Sequence, residues 1–466
     1  MTSYPAPAGP GSYAWTSQRR RSSEQAASGL GAFFRWSPFE IAVAVALLTG
    51  VWRLQMFLFF VAKLQIPILA SGAAIWFFIA EGGLARLPRV ARHPVSRWVI
   101  VTLALMLLSV PTSLYPGLSA RAVFLDHSRD IILMLLIAAS IRKRASIERL
   151  ALMNLIGGIV FCFAVWKYAQ IGSDGRLGDL GGYYDANDLA MLLVCSLPLA
   201  VYFLRRGVPG VLRALALAGL GVFMITFVKT GSRGGFLGLL AISGFMLFRY
   251  TAIPGRIRWG AITAAALVLM TIAGNRYWAM MGTLLHPTQD YNWSGKDESG
   301  RMEVWRRGIG YMLQRPFTGV GVNAFSIAEG TISDLADRQA RGIGLKWSAA
   351  HNSFVQIGAE LGVGGLIALV MVLWRSFQAV GWIAALPRGP GRRVLPEAAL
   401  AQSLQACLVG YIVSGFFLSQ AYSALLYVLL GLVVGLWMVM NPPGVKAPRR
   451  VLPGRGPGPL APVPGR

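Results

Sequence analysis

The strongest constraint on this chain is a rhythm. Apolar runs of roughly 17–25 residues alternate with short polar connections, and every second connection carries a basic cluster. Runs of that length read as membrane-spanning helices, because backbone groups in hydrocarbon must satisfy their hydrogen bonds internally. They fall at about 37–83 (two spans, broken between Lys63 and Pro67), 98–114, 119–141, 150–171 and 189–204. Further runs lie at about 211–228, from the 229–235 turn to Phe248, and at about 259–279, 351–374, 396–417 and 421–440. Basic clusters occupy the N-terminal tail, 84–97, 142–149, 205–213, 249–258, 375–393 and the C-terminal tail. Orientation by positive charge places those connections in the cytoplasm. Residues 172–188, 229–235 and 275–350 then face the opposite side, which in a bacterium is the periplasm or the cell exterior.

Composition agrees with the rhythm. The 466 residues are 55% hydrophobic and only 14% charged, with a mean hydropathy of +0.55, whereas a soluble chain carries nearer a quarter charged residues. The net charge of +25 is dispersed in clusters between spans, which argues orientation in a membrane and no nucleic-acid partner. Cys162, Cys195 and Cys407 stand singly in apolar runs, without metal-ligand spacing or a disulfide framework. The first apolar run follows about 36 polar residues with no small-residue cleavage site, so no removed signal peptide is expected. The reading is an all-α polytopic membrane protein with about 12 transmembrane helices. Its expected parts are a disordered cytoplasmic tail (1–36), nine spans (37–274), a periplasmic segment (275–350), three spans (351–440) and a second disordered cytoplasmic tail (441–466).

The 275–350 segment is the one long polar interruption, too long to be structureless in a compact protein. Within it Met302, Val304, Trp305, Ile309 and Met312 predict a helix lying on the bilayer, starting after Gly300 and ending before Pro316. Arg53, inside the first apolar stretch, either snorkels or faces a cavity.

The candidate site residues lie on the three outward connections. Arg233 stands between Ser232 and Gly234-Gly235; its planar guanidinium matches phosphate oxygens, and the glycines would let a ligand approach the backbone. Equally, Gly234 and Gly238 form a small-xxx-small packing pattern and Arg233 simply snorkels. Arg301 begins the outer helix, where an arginine opposes the helix dipole; it is either a ligand contact or a surface partner of Glu303 or Asp297. Arg306 and Arg307 read as interfacial anchors. His351 re-enters the membrane and can accept a proton near neutral pH, or merely rest at the interface. Asn352 can cap the helix that follows, with Glu360 two to three turns deeper. Arg176 and Asp185, from the 172–188 loop, join Ser232 and Asn352 as substrate-binding candidates, although Asn187 and Asp188 also look like a helix start. No metal-binding or nucleotide-binding motif occurs, so no metal or cofactor is expected.

Three blocks in this order resemble the O-antigen ligase and O-antigen polymerase superfamily: Ser232 to Gly235, Gly300 to Trp305 with Arg315 to Gly321, and His351 to Gly362. Tyr184 to Ala190 and Pro198 resemble its middle spans, and the likeness covers roughly residues 150–440. It implies a GT-C-like helical glycosyltransferase that takes a glycan from an undecaprenyl-diphosphate carrier on the periplasmic face. Carried over residue by residue, Arg233 and Arg301 hold the diphosphate and His351 serves the acceptor. The expected partners are the lipid-linked donor, membrane lipids, and lipid A-core or a growing glycan as acceptor. O-antigen ligation comes first, polymerisation second and transfer to protein third. The non-enzyme alternative is a transporter of lipid-linked glycans, which would bury ionisable groups near mid-membrane; the candidates here gather at one face.

Overall fold

The computed structural model describes residues 35–57, 63–172, 176–177, 184–286, 293, 300–342, 347–389 and 394–441. Nearly all of both tails, Asp297, residues 178–183, and Arg392 with Arg393 lie outside the described residues. The expectations placed on them are therefore not taken further.

Every apolar run contains a helix. In chain order these are α1 (Pro38–Gly50), α2 (Ile66–Ala80), α3 (Pro94–Ser109) and α4, a continuous run of Pro116–Arg121, a π turn at Ala122–His127, and Ser128–Ser140. There follow α5 (Arg144–Tyr168), α6 (Ala186–Tyr202), α7 (Gly210–Thr230), α8 (Arg233–Arg249) and α9 (Gly255–Ile272). In the polar segment lie α10 (Arg301–Gln314) and α11 (Phe325–Thr331), and the chain closes with α12 (Ser353–Ala384), α13 (Pro396–Gly415) and α14 (Ala424–Met440). Among the described residues five helices, α5, α7, α9, α12 and α13, are long and apolar enough to cross a membrane. A sixth span arises if α2 and the 83–91 turn, bent by 78°, count as one. α1, α3, α6 and α14 are shorter apolar helices. The architecture is that of a helical, multi-pass membrane protein.

Hydrogen bonds sort the helix ends into two groups. At one end Arg149 donates to both oxygens of Glu40 (2.7 Å each), joining the starts of α5 and α1. Glu148 collects Tyr202 (2.5 Å) and Arg205 (2.9 Å) from the end of α6, and Arg144 reaches Glu397 at the start of α13 (3.4 Å). Buried ions require such pairing, since removing one partner costs about 3–5 kcal/mol. The basic clusters therefore fasten that end as well as marking it. At the other end meet the starts of α4, α6, α8 and α12 with the ends of α1, α7 and α13. We call this the polar-loop end.

Between the two groups α13 packs on α6, α8 and α12, and α14 packs on α4. Glycine allows the closest of these approaches. A Cβ on Gly238 would lie 2.2 Å from the Ser414 hydroxyl of α13, one on Gly235 2.6 Å from Ala190 of α6, and one on Gly234 2.9 Å from Phe417. The small-xxx-small reading of this run thus holds for its glycines: the space beside them is filled by protein and is not clearance for a ligand.

α12 is broken. Gly362 has φ 71° and ψ −167°, a conformation open to glycine. A break inside a span frees backbone groups that must find partners in the protein. The stretch Arg315 to Gly321 supplies them. Val320 N–H donates to the Ala359 carbonyl (2.9 Å), Gly321 N–H to the Glu360 carbonyl (3.0 Å), and Val363 N–H to the Pro316 carbonyl (2.8 Å). Leu114 N–H then donates to the Val320 carbonyl (3.0 Å), tying in the α3–α4 turn. A Cβ on Gly362 would fall 2.2 Å from the Pro316 oxygen, and one on Gly319 2.3 Å from the Glu360 carbonyl carbon. Gly362→Ala and Gly319→Ala are each expected to cost at least about 1–2 kcal/mol, the left-handed backbone alone accounting for that much. Gly310→Ala, with nothing within 4 Å of its Cβ, should leave thermal unfolding in detergent unchanged.

Candidate active site at the polar-loop end

Of the helices that begin at this end, α4, α6, α8 and α12 each have the start fixed by a short polar side chain at or near the first turn. Asp185 caps α6, accepting the amides of Asn187 (2.7 Å) and Asp188 (2.8 Å). Ser232 caps α8, its hydroxyl accepting Gly235 N–H at 3.1 Å. Asn352 caps α12, accepting Phe354 N–H (2.9 Å) and Val355 N–H (3.1 Å). Caps satisfy amides that a helix start otherwise leaves unbonded. α4 starts beneath the loop instead, where the Ser119 hydroxyl donates to the Val322 carbonyl (2.7 Å).

Arg176 braces two of these starts. Its Nε donates to the Thr230 carbonyl (2.8 Å), and a terminal nitrogen donates to Asn187 Oδ1 (2.8 Å). It therefore holds the α7–α8 turn, and with it Arg233, against the start of α6. Arg233 itself is partly exposed and donates to the Thr283 hydroxyl at 2.9 Å. Thr283 carried no signal in the sequence beyond lying in the outer segment.

Arg301 opens α10. Of the two surface partners expected for it, Glu303 pairs with Arg306 (2.8 Å, i,i+3), and Asp297 lies outside the described residues. The inward face of α10 is not the single apolar stripe its sequence suggests. Val304, Arg307, Gly308 and Tyr311 are buried, while Met302, Ile309, Leu313 and the following Phe317, 86% exposed, face away from the protein. Arg307 is no interfacial anchor. It makes a two-pronged pair with Glu329 of α11 (2.9 and 2.6 Å), and the Tyr311 hydroxyl donates to the same carboxylate (2.8 Å). The Glu329 hydrogen bond raises the Arg307 pKa further, and burial pushes the Tyr311 phenol up. Sequence periodicity misread this face because an arginine counts as polar until its partner, 22 residues on, is known.

His351 occupies the left-handed region (φ 48°), unusual for a residue with a Cβ. Contacts on both sides hold it there. The Trp305 indole N–H donates to the Ala350 carbonyl (2.9 Å), and the Ser419 hydroxyl accepts His351 N–H (2.8 Å).

The turn 416–420, between α13 and α14, is what the candidates share, and the sequence showed it only as a short polar turn. Phe417 packs on the Gly234 backbone beside Arg233. Phe416 meets Trp305 edge-on (centroids 5.3 Å apart) and Phe354 of α12 (6.4 Å). Ser353 donates to the Leu418 carbonyl (2.8 Å), and Gln420 donates to Asp188 of α6 (2.8 Å). Trp305 is one helical turn from Arg301, on the same face. One five-residue turn thus touches the helices that carry Arg233, Arg301 and His351. The signal that could have revealed it is a Phe-Phe pair followed by Ser-Gln in an otherwise apolar hairpin.

Residues 214–370, from within α7 to within α12, match a family model described as O-antigen ligase. Over that segment the chain resembles the O-antigen ligase family. No curated protein matches the chain. The matched segment contains Arg233, Arg301, His351 and the Arg315 to Gly321 stretch that docks into α12. The likeness supports glycosyltransferase-type work on lipid-linked glycans in the broad sense, either ligation or polymerisation.

Two measurements probe the supports of this O-antigen ligase-type site. Arg307→Ala and Glu329→Ala should each lower stability by about 3–5 kcal/mol, since each leaves a buried charge unpaired. The double variant should lose clearly less than the sum, as thermal unfolding would show. Ser419→Ala strands the His351 amide, a cost of about 1–3 kcal/mol. It should reduce glycan transfer roughly tenfold or more while leaving membrane insertion intact.

Proposed function

We propose that the protein transfers a glycan from an undecaprenyl-diphosphate carrier to an acceptor hydroxyl at the periplasmic face of the inner membrane, with inversion at the sugar C1. The observation that carries the proposal is the convergence of the Arg233, Arg301 and His351 helix starts on the 416–420 turn. The acceptor oxygen attacks C1 from the face opposite the carrier. The C1–O bond to the diphosphate breaks, and the leaving diphosphate takes the bonding pair. Its negative charge grows in the transition state, where fixed guanidinium groups on Arg233 and Arg301 stabilise it more than the ground state. The acceptor proton passes to His351, or His351 orients the hydroxyl that loses it.

Ser232, Asn352, Arg176 and Asp185 support the site in this scheme mainly by fixing backbone. The first two cap the helices of Arg233 and His351, Arg176 braces the turn before Arg233, and Asp185 caps α6, against which that turn is held. The exposed apolar side chains of α10 (Met302, Ile309 and Leu313) suit a bilayer surface, with α10 covering the site from above. Ligation of O-antigen to lipid A-core is the favoured acceptor chemistry, ahead of polymerisation on another lipid-linked repeat and of transfer to protein.

Arg233→Ala, Arg301→Ala and His351→Ala should each abolish transfer, by a factor of 100 or more, with expression and insertion unchanged. Full activity in both arginine variants would remove the diphosphate clamp. The envelope glycan profile of a deletion strain separates the acceptors: core without O-antigen means ligation, core with one repeat means polymerisation, and altered glycoproteins alone mean protein transfer.

A further inference from the structure

α4 carries charged and titratable groups that the scheme above does not use. Asp126, His127, Arg129 and Asp130 lie about 15–21 Å along the helix from Pro116 at 1.5 Å per residue, in and just beyond its π turn. Ionisable groups at that depth face a cavity or a partner far more often than lipid, and π turns recur at functional sites. Here His127 and Asp130 are buried, whereas Asp126 and Arg129 are exposed. Asp130 is buried and fronts Arg53, whose guanidinium lies over the Tyr184 ring (5.4 Å to the centroid). Arg53 therefore has polar and aromatic neighbours inside the bundle. The His127 ring lies against Tyr422 (centroids 4.7 Å apart) and faces Asn323. Glu360, on the turn of α12 before its break, faces the same Tyr422, the backbone of Asn323 and Phe325, and Gln356.

Three elements thus bring polar side chains together around Tyr422. His127, Glu360 and Tyr422 are 7%, 1% and 6% exposed. His127 Nε2, Glu360 Oε2 and the Tyr422 hydroxyl have no hydrogen-bond partner among the described residues. A buried unbonded polar group costs about 1–3 kcal/mol, so these atoms, of which only Glu360 and Tyr422 stand close enough to pair with each other, gain from an outside partner. Beside His127, Asn323 and Asp126 are exposed and Arg129 is half-exposed. Asn323, like His351 and Arg53, is held at positive φ, a form of strain that gathers at functional sites. The unbonded set is an imidazole nitrogen, a carboxyl oxygen and a phenol. Such a mixture of donors and acceptors pairs naturally with hydroxyl groups, which are donor and acceptor at once.

We propose that this crypt, floored by His127, Glu360 and Tyr422 and rimmed by Asn323, Asp126 and Arg129, binds the hydroxyl groups of the acceptor saccharide. The inference rests on the glycan-transfer reading, and it assigns the acceptor a place separate from the arginines that hold the donor. Ser353, Gln356 and Glu360 share one face of α12, so the crypt lies about 13 Å along that helix from His351. The acceptor is therefore an oligosaccharide, one part held in the crypt while another presents its hydroxyl at His351.

The test uses the full-length protein in detergent and two probes. The first is the source strain's own envelope oligosaccharides, released from their anchors by mild acid and followed by saturation-transfer NMR. The second is undecaprenyl diphosphate, followed by native mass spectrometry. Tyr422→Phe, Glu360→Gln and His127→Gln are each expected to weaken oligosaccharide binding tenfold or more and to leave undecaprenyl diphosphate binding within twofold. Arg233→Ala should do the reverse. Oligosaccharide binding that is absent from the wild type, or unchanged in the folded variants, overturns the crypt. Failure of the wild type to bind undecaprenyl diphosphate overturns the transfer reading separately. Where Glu360→Gln does not fold, Tyr422→Phe, which removes a single oxygen atom, decides the matter.

Discussion

The polar-loop end of this protein depends on a broken helix and the strand of backbone that repairs it. α12 loses its regular conformation at Gly362, and the carbonyls of Ala359 and Glu360 are paired by amides of Val320 and Gly321. A continuous helix would turn those groups inward on itself and leave the 315–321 stretch with nothing to hold. The break makes the outer segment part of the bundle. Through Gly321 and Val320 it reaches Ser113 and Leu114 of the α3–α4 turn. Asn323 follows two residues later, at the point where α4 and Glu360 approach each other.

Electrostatics divides the arginines into two working classes. Arg149, Arg144, Arg205 and Arg307 are spent on buried or half-buried carboxylates, where the pairing holds helices together. Arg233 is partly exposed and donates to the Thr283 hydroxyl at the polar-loop end. The positive excess of the sequence is thus mostly orientation and structure, and only a small part of it is suited to the reaction.

Several features were legible in advance because they are local. The cap at Asn352, the helix beginning after Gly300, and the alternation of basic connections each follow from a few neighbouring residues. What escaped the sequence depends on partners far apart along the chain. Arg307 looked like a surface anchor because Glu329 lies on another helix. The glycines after Arg233 fitted ligand clearance or packing equally well until Ser414, Ala190 and Phe417 were seen to fill their space. The charges of α4 were visible but had no destination, so the candidates seemed confined to one face; the structure adds a second polar group deeper in the bundle.

By itself the sequence determined that the chain is a helical membrane protein, which connections share a side, and which arginines and histidine lie on the polar-loop side. Those properties are set by transfer of apolar segments into lipid and by charge, and both act residue by residue along the chain. Only the tertiary structure decided that the 416–420 turn ties the candidate helices together, that α12 is broken and repaired by 315–321, and that His127, Glu360 and Tyr422 converge. Each of these is a contact between segments distant in sequence. Its energy comes from packing and from hydrogen bonds that no single segment can make alone.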